Sequence, residues 1–382
     1  MEVGETLTVG AKLTLATSHL DTFAPLAHGS TPAMLTSMSR EPRRIPSLDG
    51  WRAIAVIMVV VHHAGAVASR SGVEFESSPF WNLGVGVDVF FAISGLLITT
   101  RILDEWERTG TFNLRTFYIR RAFRILPPAN CVLLVTVLLG LSGPAWSIIS
   151  CLTFWSNWLP ASARSWTTGH FWSLSLEEQF YLVWPCVLLL AGRARAPRVL
   201  FWSIMTVCVW RSLILLVWQS PGIMFRTDLR ADGLLWGCLA AFAFRSIRIP
   251  GLVFAVSIVA AAVVPSFYRY GAGLVILPAA LAAAVTATAQ RPGSIITSML
   301  DWNPLAFIGR MSYSIYLWQQ IFLTPVWESP RAHLAWPMYQ RIAVLLLVAC
   351  ASYYFIEKPC IELGKRLLAR HRDRRAFVAA SV

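Results

Sequence analysis

Two residues that can carry charge, Arg52 and His63, lie eleven positions apart in one apolar stretch. On a helix, eleven residues make about three turns, so the two side chains share a face roughly 16 Å apart along the axis and do not touch. A titratable group inside an apolar span is costly, typically by about 3 kcal/mol, and marks a functional cavity. Histidine titrates close to working pH and suits a general base. Alternatively, the Arg52 side chain reaches the cytoplasmic lipid headgroups from the start of the helix, and His63 only makes a structural hydrogen bond inside the bundle.

Two carboxylates join this pair as catalytic candidates, Asp88 and Glu178. Asp88 lies in the segment Gly84 to Gly95, whose glycines predict close helix packing. Glu178 is one of two adjacent carboxylates in the segment Phe171 to Tyr181, at the head of an apolar stretch. A carboxylate there either interacts with the helix dipole or orients a base or a substrate.

A strongly basic stretch holds Arg121 and Arg124, which are three residues apart and share a helical face. A guanidinium group can donate two parallel hydrogen bonds to the oxygens of one phosphate group, so these two residues are candidates for binding a phosphate-bearing cofactor. The alternative is a topology signal that contacts anionic lipid, and membrane lipid is an expected partner.

Composition identifies the elements that must position these residues. The 382 residues are 56% hydrophobic and 14% charged, and the mean hydropathy is +0.58, which excludes a soluble domain. The net charge of +13 lies in the loops, so nucleic acid is not an expected partner. The seven cysteines include no C-x-x-C pair and no histidine at ligand spacing, so no metal site is expected.

The predicted fold class is all-α, a polytopic membrane bundle of about ten transmembrane helices. The stretch from Ala145 to Leu159 is short, and we interpret it as a re-entrant or surface helix. The ten spans are 51–68, 83–103, 127–143, 172–191, 199–219, 231–245, 251–266, 271–289, 303–326 and 336–357.

The placement of basic residues predicts the orientation of these spans in the cell membrane. With both termini cytoplasmic, most of the 33 lysines and arginines lie on the cytoplasmic side, as the positive-inside rule requires. We predict a disordered cytoplasmic tail over 1–44, whose true start could be Met34 or Met38. We also predict a transmembrane domain over 45–362 and a basic cytoplasmic tail over 363–382.

In this order, the segments resemble the acyltransferase 3 family, membrane enzymes that move acyl groups, often acetyl, onto surface polysaccharides, lipopolysaccharide or small glycosylated products. The resemblance covers residues 45 to 360. It rests on Ser47–Arg52, the spacing of ten residues between Arg52 and His63, Gly86–Gly95, Arg121–Arg124, Trp172–Tyr181 and Ser312–Trp318.

The resemblance implies that His63 is the essential base, that Arg52 belongs to the same motif, and that Arg121 and Arg124 bind a cytoplasmic acyl-CoA, with acetyl-CoA the first choice. It implies transfer of the acyl group to a hydroxyl of a carbohydrate or glycosylated acceptor. Trp51 departs from the family, which usually has a smaller aliphatic residue there. No esterase-like domain follows the last span, so we expect acceptor selection within the membrane unit.

Two other functions fit the sequence. A glycosylated secondary metabolite, such as a macrolide, is an alternative acceptor for the same chemistry. A proton-coupled transporter or flippase also uses intramembrane arginine and histidine, although no inverted repeat is apparent. Transfer of label from acyl-CoA separates an acyltransferase from a transporter.

Overall fold

The computed structural model is helical in all its regular secondary structure, with no strand in the ranges that it describes. The predicted tail over 1–44 lies outside these ranges, as does almost all of the predicted span 251–266. The described residues are 45, 47–217, 225–250, 253, 256–257, 273–325, 328 and 336–380.

Fourteen α-helices occur in this part of the chain, with short 3-10 turns at Pro79–Val85, Ser156–Trp158 and Ala161–Ala163 and a π-helical turn at Tyr353–Glu357. The α-helices are α1 Leu48–Ala68, α2 Gly72–Ser77, α3 Gly86–Thr109, α4 Leu114–Leu138, α5 Ala145–Leu152, α6 Trp166–Gly169, α7 Phe171–Val217, α8 Thr227–Arg230, α9 Asp232–Ser246, α10 Gly273–Ala289, α11 Ile295–Leu300, α12 Asn303–Phe322, α13 Met338–Ser352 and α14 Lys358–Ala380.

Five helical stretches in the described ranges are long and apolar enough to cross a membrane: Leu48–Ala68, Asn82–Thr109, Leu114–Leu138, Trp166–Val217 and Met338–Arg370. The fourth has 52 residues, and it is broken at Gly192, whose positive φ of 70° ends one helix and lets the chain start another. Helix α5 has 8 residues, which is too short to span. Over the described ranges the structure confirms the all-helical class, with helices long and apolar enough to span a membrane, and the number ten stays a prediction.

The helix that contains the start of the third predicted span, 127–143, begins upstream of residue 127. Helix α4 begins at Leu114, because the Asn113 side chain accepts the backbone N–H of Thr116 at 2.9 Å and caps the helix upstream of the basic stretch. Pro127 and Pro128 lie within the helix. The basic residues are therefore part of the helix, so their side chains lie in fixed register with the apolar turns that follow.

Helix α1 lies at the centre of the packing and contacts both α3 and α12. Helix α3 also packs closely on α9, where a Cβ at Gly95 would collide with the backbone carbonyl oxygen of Leu234. At the C-terminus, the helix continues beyond the last predicted span, 336–357, since the π-helical turn leads directly into α14, which packs on α4.

Candidate active site

His63 contacts two adjacent amides of α12. Its Nδ1 lies 2.8 Å from Oε1 of Gln319, and its Nε2 lies 3.0 Å from Nε2 of Gln320. The ring of Trp166 meets the imidazole edge to face, with centroids 5.5 Å apart. Both glutamines are buried, at 0% and 4% exposure. His63 is thus held in a polar pocket between otherwise apolar helices.

A second histidine, His170, completes this pocket from the turn between α6 and α7. Its backbone N–H and its Nδ1 both lie within hydrogen-bond distance of Oε1 of Gln320, at 2.8 Å and 2.6 Å. The hydroxyl of Tyr316 donates to the His170 carbonyl oxygen at 3.1 Å and lies 2.5 Å from Oγ of Ser173. His170 is 2% exposed, and its Nε2 has no hydrogen-bond partner within the described ranges.

Arg52 lies in a different polar group, near the other end of α1. It is half-buried and lies within electrostatic range of Glu177, Glu357 and Arg124. Glu177 accepts the Ser94 hydroxyl at 2.8 Å. The π-helical turn brings the Glu357 side chain into the bundle, where it is 2% exposed. We call Arg52, Glu177, Glu357 and Arg124 the arginine–carboxylate cluster.

The two predicted cofactor-binding arginines differ in their contacts. Nε of Arg121 donates to Oε1 of Glu178 at 3.1 Å, and the guanidinium lies over the Tyr181 ring. Arg124 belongs to the arginine–carboxylate cluster. Arg101 of α3 lies within electrostatic range of both arginines. Several positive charges from two helices therefore gather near the Arg52 end of α1.

Asp88 forms a buried ion pair in another part of the bundle. Its Oδ1 lies 2.5 Å from a terminal nitrogen of Arg230, and the two side chains are 3% and 8% exposed. A second buried pair joins Arg211 to Asp232 at 2.9 Å. These four groups connect α3, α7, α8 and α9, and they fit a structural role for Asp88.

The structure therefore divides the six predicted site residues among three places. His63 lies in the pocket formed with Gln319, Gln320 and His170. Arg52 and Arg124 lie in the arginine–carboxylate cluster, and Arg121, whose partner is Glu178, lies next to this cluster. Asp88 lies in the group of two buried ion pairs. Sequence reasoning missed His170 and the two glutamines. The available signal was the occurrence of consecutive amides inside an apolar helix, directly after the segment that closes at Trp318.

No cluster of metal-ligating side chains occurs among the residues with a described placement.

A family model described as "Acyltransferase domain" matches residues 45–357. The chain belongs to the acyltransferase 3 family. Among curated relatives, the peptidoglycan O-acetyltransferase OatA of Listeria monocytogenes is 30% identical over 84% of this chain and 56% of its own length. The O-acetyltransferase OatA of Staphylococcus aureus is 30% identical over 86% of this chain and 59% of its own length.

A third relative, the putative peptidoglycan O-acetyltransferase YrhL of Bacillus subtilis, is 29% identical over 86% of the chain and 56% of its own length. The chain thus spans less than two thirds of the length of these relatives. No solved structure gives a significant match.

Proposed function

We propose that this acyltransferase 3 family member transfers an acyl group, with acetyl the first choice, from acyl-CoA to a hydroxyl of a cell-wall polysaccharide. The observation that carries the proposal is the imidazole of His63, held by two buried amides inside a membrane bundle. The names of the relatives support a peptidoglycan-like acceptor.

The proposed reaction needs one base. A sugar hydroxyl is a poor nucleophile at neutral pH, so His63 takes its proton as the oxygen attacks the thioester carbonyl carbon. The new C–O bond forms, the C–S bond breaks, and the CoA thiolate leaves and recovers a proton. The imidazole thereby returns to its neutral state without a further reactant.

The donor and the acceptor are proposed to enter from opposite ends of α1. The arginines near Arg52 supply positive charge for the CoA phosphates, and by the positive-inside rule that end faces the cytoplasm. His63 then lies towards the outer face, about 16 Å further along the helix. An acyl-pantetheine arm that extends inward from the arginines would bring the thioester towards His63.

The remaining predicted site residues take supporting roles in this proposal. Arg52 belongs to the donor side, because it lies within electrostatic range of Arg124. Glu178 orients Arg121 through their ion pair. Asp88 stabilises the fold through Arg230.

The test uses the purified chain in proteoliposomes with [14C]acetyl-CoA and, as acceptors, soluble peptidoglycan oligosaccharides or a glycosylated macrolide. We expect label on the oligosaccharides with the wild type, and a loss of roughly 100-fold or more with His63→Ala, because general-base catalysis contributes about 10²–10⁴-fold. His62→Ala is the matched control, since Nδ1 of His62 instead faces the carbonyl oxygen of Phe80 at 3.1 Å.

Three results would contradict the proposal. Equal rates for His63→Ala and the wild type would remove His63 as the base. Label on the macrolide alone would assign the alternative acceptor. Absence of transfer from acetyl-CoA to either acceptor would contradict acetyl transfer, and movement of an unmodified glycan across the bilayer would then favour a transporter.

A further inference from the structure

We infer that Gln320 and His170 are positioning residues that hold His63 as the neutral tautomer protonated at Nδ1, so that Nε2 is the basic nitrogen. The inference deepens the proposed function and rests on it. It is derived from which atoms of this pocket can only donate and which can only accept a hydrogen bond.

The orientation of the Gln320 amide is fixed by a backbone group. The amide N–H of His170 can only donate, and it lies 2.8 Å from the Gln320 atom at the Oε1 position. That atom must therefore be the oxygen. The other end of the same amide, which faces His63, must be the NH2 group.

This orientation determines the proton positions on His63. The Gln320 NH2 group can only donate, so Nε2 of His63, at 3.0 Å, must accept and carries no proton. A neutral imidazole then has its proton on Nδ1, which donates to Oε1 of Gln319 at 2.8 Å. Both amides are consistent with one tautomer, the one in which Nε2 carries no proton and is the basic nitrogen.

His170 stabilises this arrangement through its ring as well as its backbone. Its Nδ1 lies 2.6 Å from Oε1 of Gln320, an atom that can only accept, so His170 also carries its proton on Nδ1. Two donors from one residue thus hold a single carbonyl oxygen. The His170 ring is fixed in turn by Tyr316, whose ring meets it edge to face with centroids 5.4 Å apart.

The contact between Gln320 and His63 also defines what an acceptor must do. The Gln320 N–H occupies the lone pair of the proposed base, so a sugar hydroxyl has to replace it at Nε2 before the proton can move. Because the two amides contact both ring nitrogens, an imidazole released from both of them would lose its fixed direction. A small misplacement of a reacting group costs about 100-fold in rate.

The test compares three substitutions of His170 that differ in which ring nitrogen they imitate. The amide nitrogen of His170→Asn lies near the position of Nδ1, that of His170→Gln lies near Nε2, and His170→Ala has neither. We expect kcat to fall by roughly 10- to 100-fold in the Gln and Ala variants. The KM for acetyl-CoA should stay unchanged, and the Asn variant should recover most of the lost kcat.

A spectroscopic measurement keeps the inference testable even if a variant folds poorly. In the wild type reconstituted in lipid with 15N-labelled histidine, the His63 signals should show a protonated Nδ1 and an unprotonated Nε2. A proton on Nε2 would overturn the inference. Wild-type kcat in the Gln and Ala variants, or an Asn variant as inactive as Ala, would also overturn it. If the wild type itself transfers no acetyl group, the proposed function fails instead.

Discussion

Removing one partner of the buried Asp88–Arg230 ion pair should destabilise the protein far more than removing both. At the 2.5 Å separation of the charged atoms, the attraction is about 6–7 kcal/mol for an effective dielectric constant of about 20. Withdrawing each ion from water costs several kcal/mol, so the net contribution of the pair is close to zero. A single truncation, in contrast, leaves a buried charge without its partner in this ion pair and typically costs about 3–5 kcal/mol.

The two single variants should differ because Asp232 lies within electrostatic range of both residues. Asp88→Ala leaves Arg230 near another carboxylate, so we expect a loss near 3 kcal/mol, at the lower end of the range. Arg230→Ala removes the cation that lies within electrostatic range of both carboxylates and leaves Arg211 paired with Asp232, so it should cost more, about 5 kcal/mol. The double variant should lie within about 1–2 kcal/mol of the wild type.

The assay is equilibrium unfolding of the purified protein in bicelles, followed by tryptophan fluorescence, with acetyl transfer measured on the same samples. Single variants that each lose less than 1 kcal/mol would refute the electrostatic reasoning, as would a double variant whose loss equals the sum of the two. If the double variant is stable yet fails to transfer acetyl groups, Asp88 takes part in catalysis and our structural interpretation of it is wrong.

Two further outcomes are expected. Replacing both Arg121 and Arg124 with alanine should raise the KM for acetyl-CoA roughly 10-fold or more, because each charge-assisted hydrogen bond contributes about 1.5–3 kcal/mol. The control is Arg120→Ala, because Arg120 is an exposed neighbour. An unchanged KM in the double variant would leave the two arginines as topology signals. Gly95→Ala should lower stability by about 1–3 kcal/mol, since its Cβ would collide with backbone of α9. Gly233→Ala, whose Cβ would lie 3.1 Å from side-chain carbon atoms, should cost less, and equal losses in bicelle unfolding would contradict the close approach of α3 and α9.

Local sequence signals predicted most of the individual helices. The apolar run from Trp51 predicted a span over 51–68, and α1 occupies Leu48–Ala68. The helix extends beyond the predicted span at α4, where the span was predicted to begin at residue 127. The capping side chain of Asn113 instead starts the helix at Leu114, since a cap acts on the first free N–H groups wherever they lie.

The sequence by itself determined the membrane class, because the apolar fraction and the lengths of the apolar runs depend on composition alone. It also determined the family segments and the candidate base on α1. Which residues face that base was decided only by the tertiary structure. Gln319 lies 256 positions from His63 in the chain, and Gln320 lies 150 positions from His170.

Sequence separation also explains why Asp88 was a catalytic candidate from the sequence but forms half of an ion pair in the structure. Its partner Arg230 lies 142 positions away. The cost of a buried charge can be read from the sequence, but the group that compensates it is set by helix packing across the bundle, which no local pattern encodes.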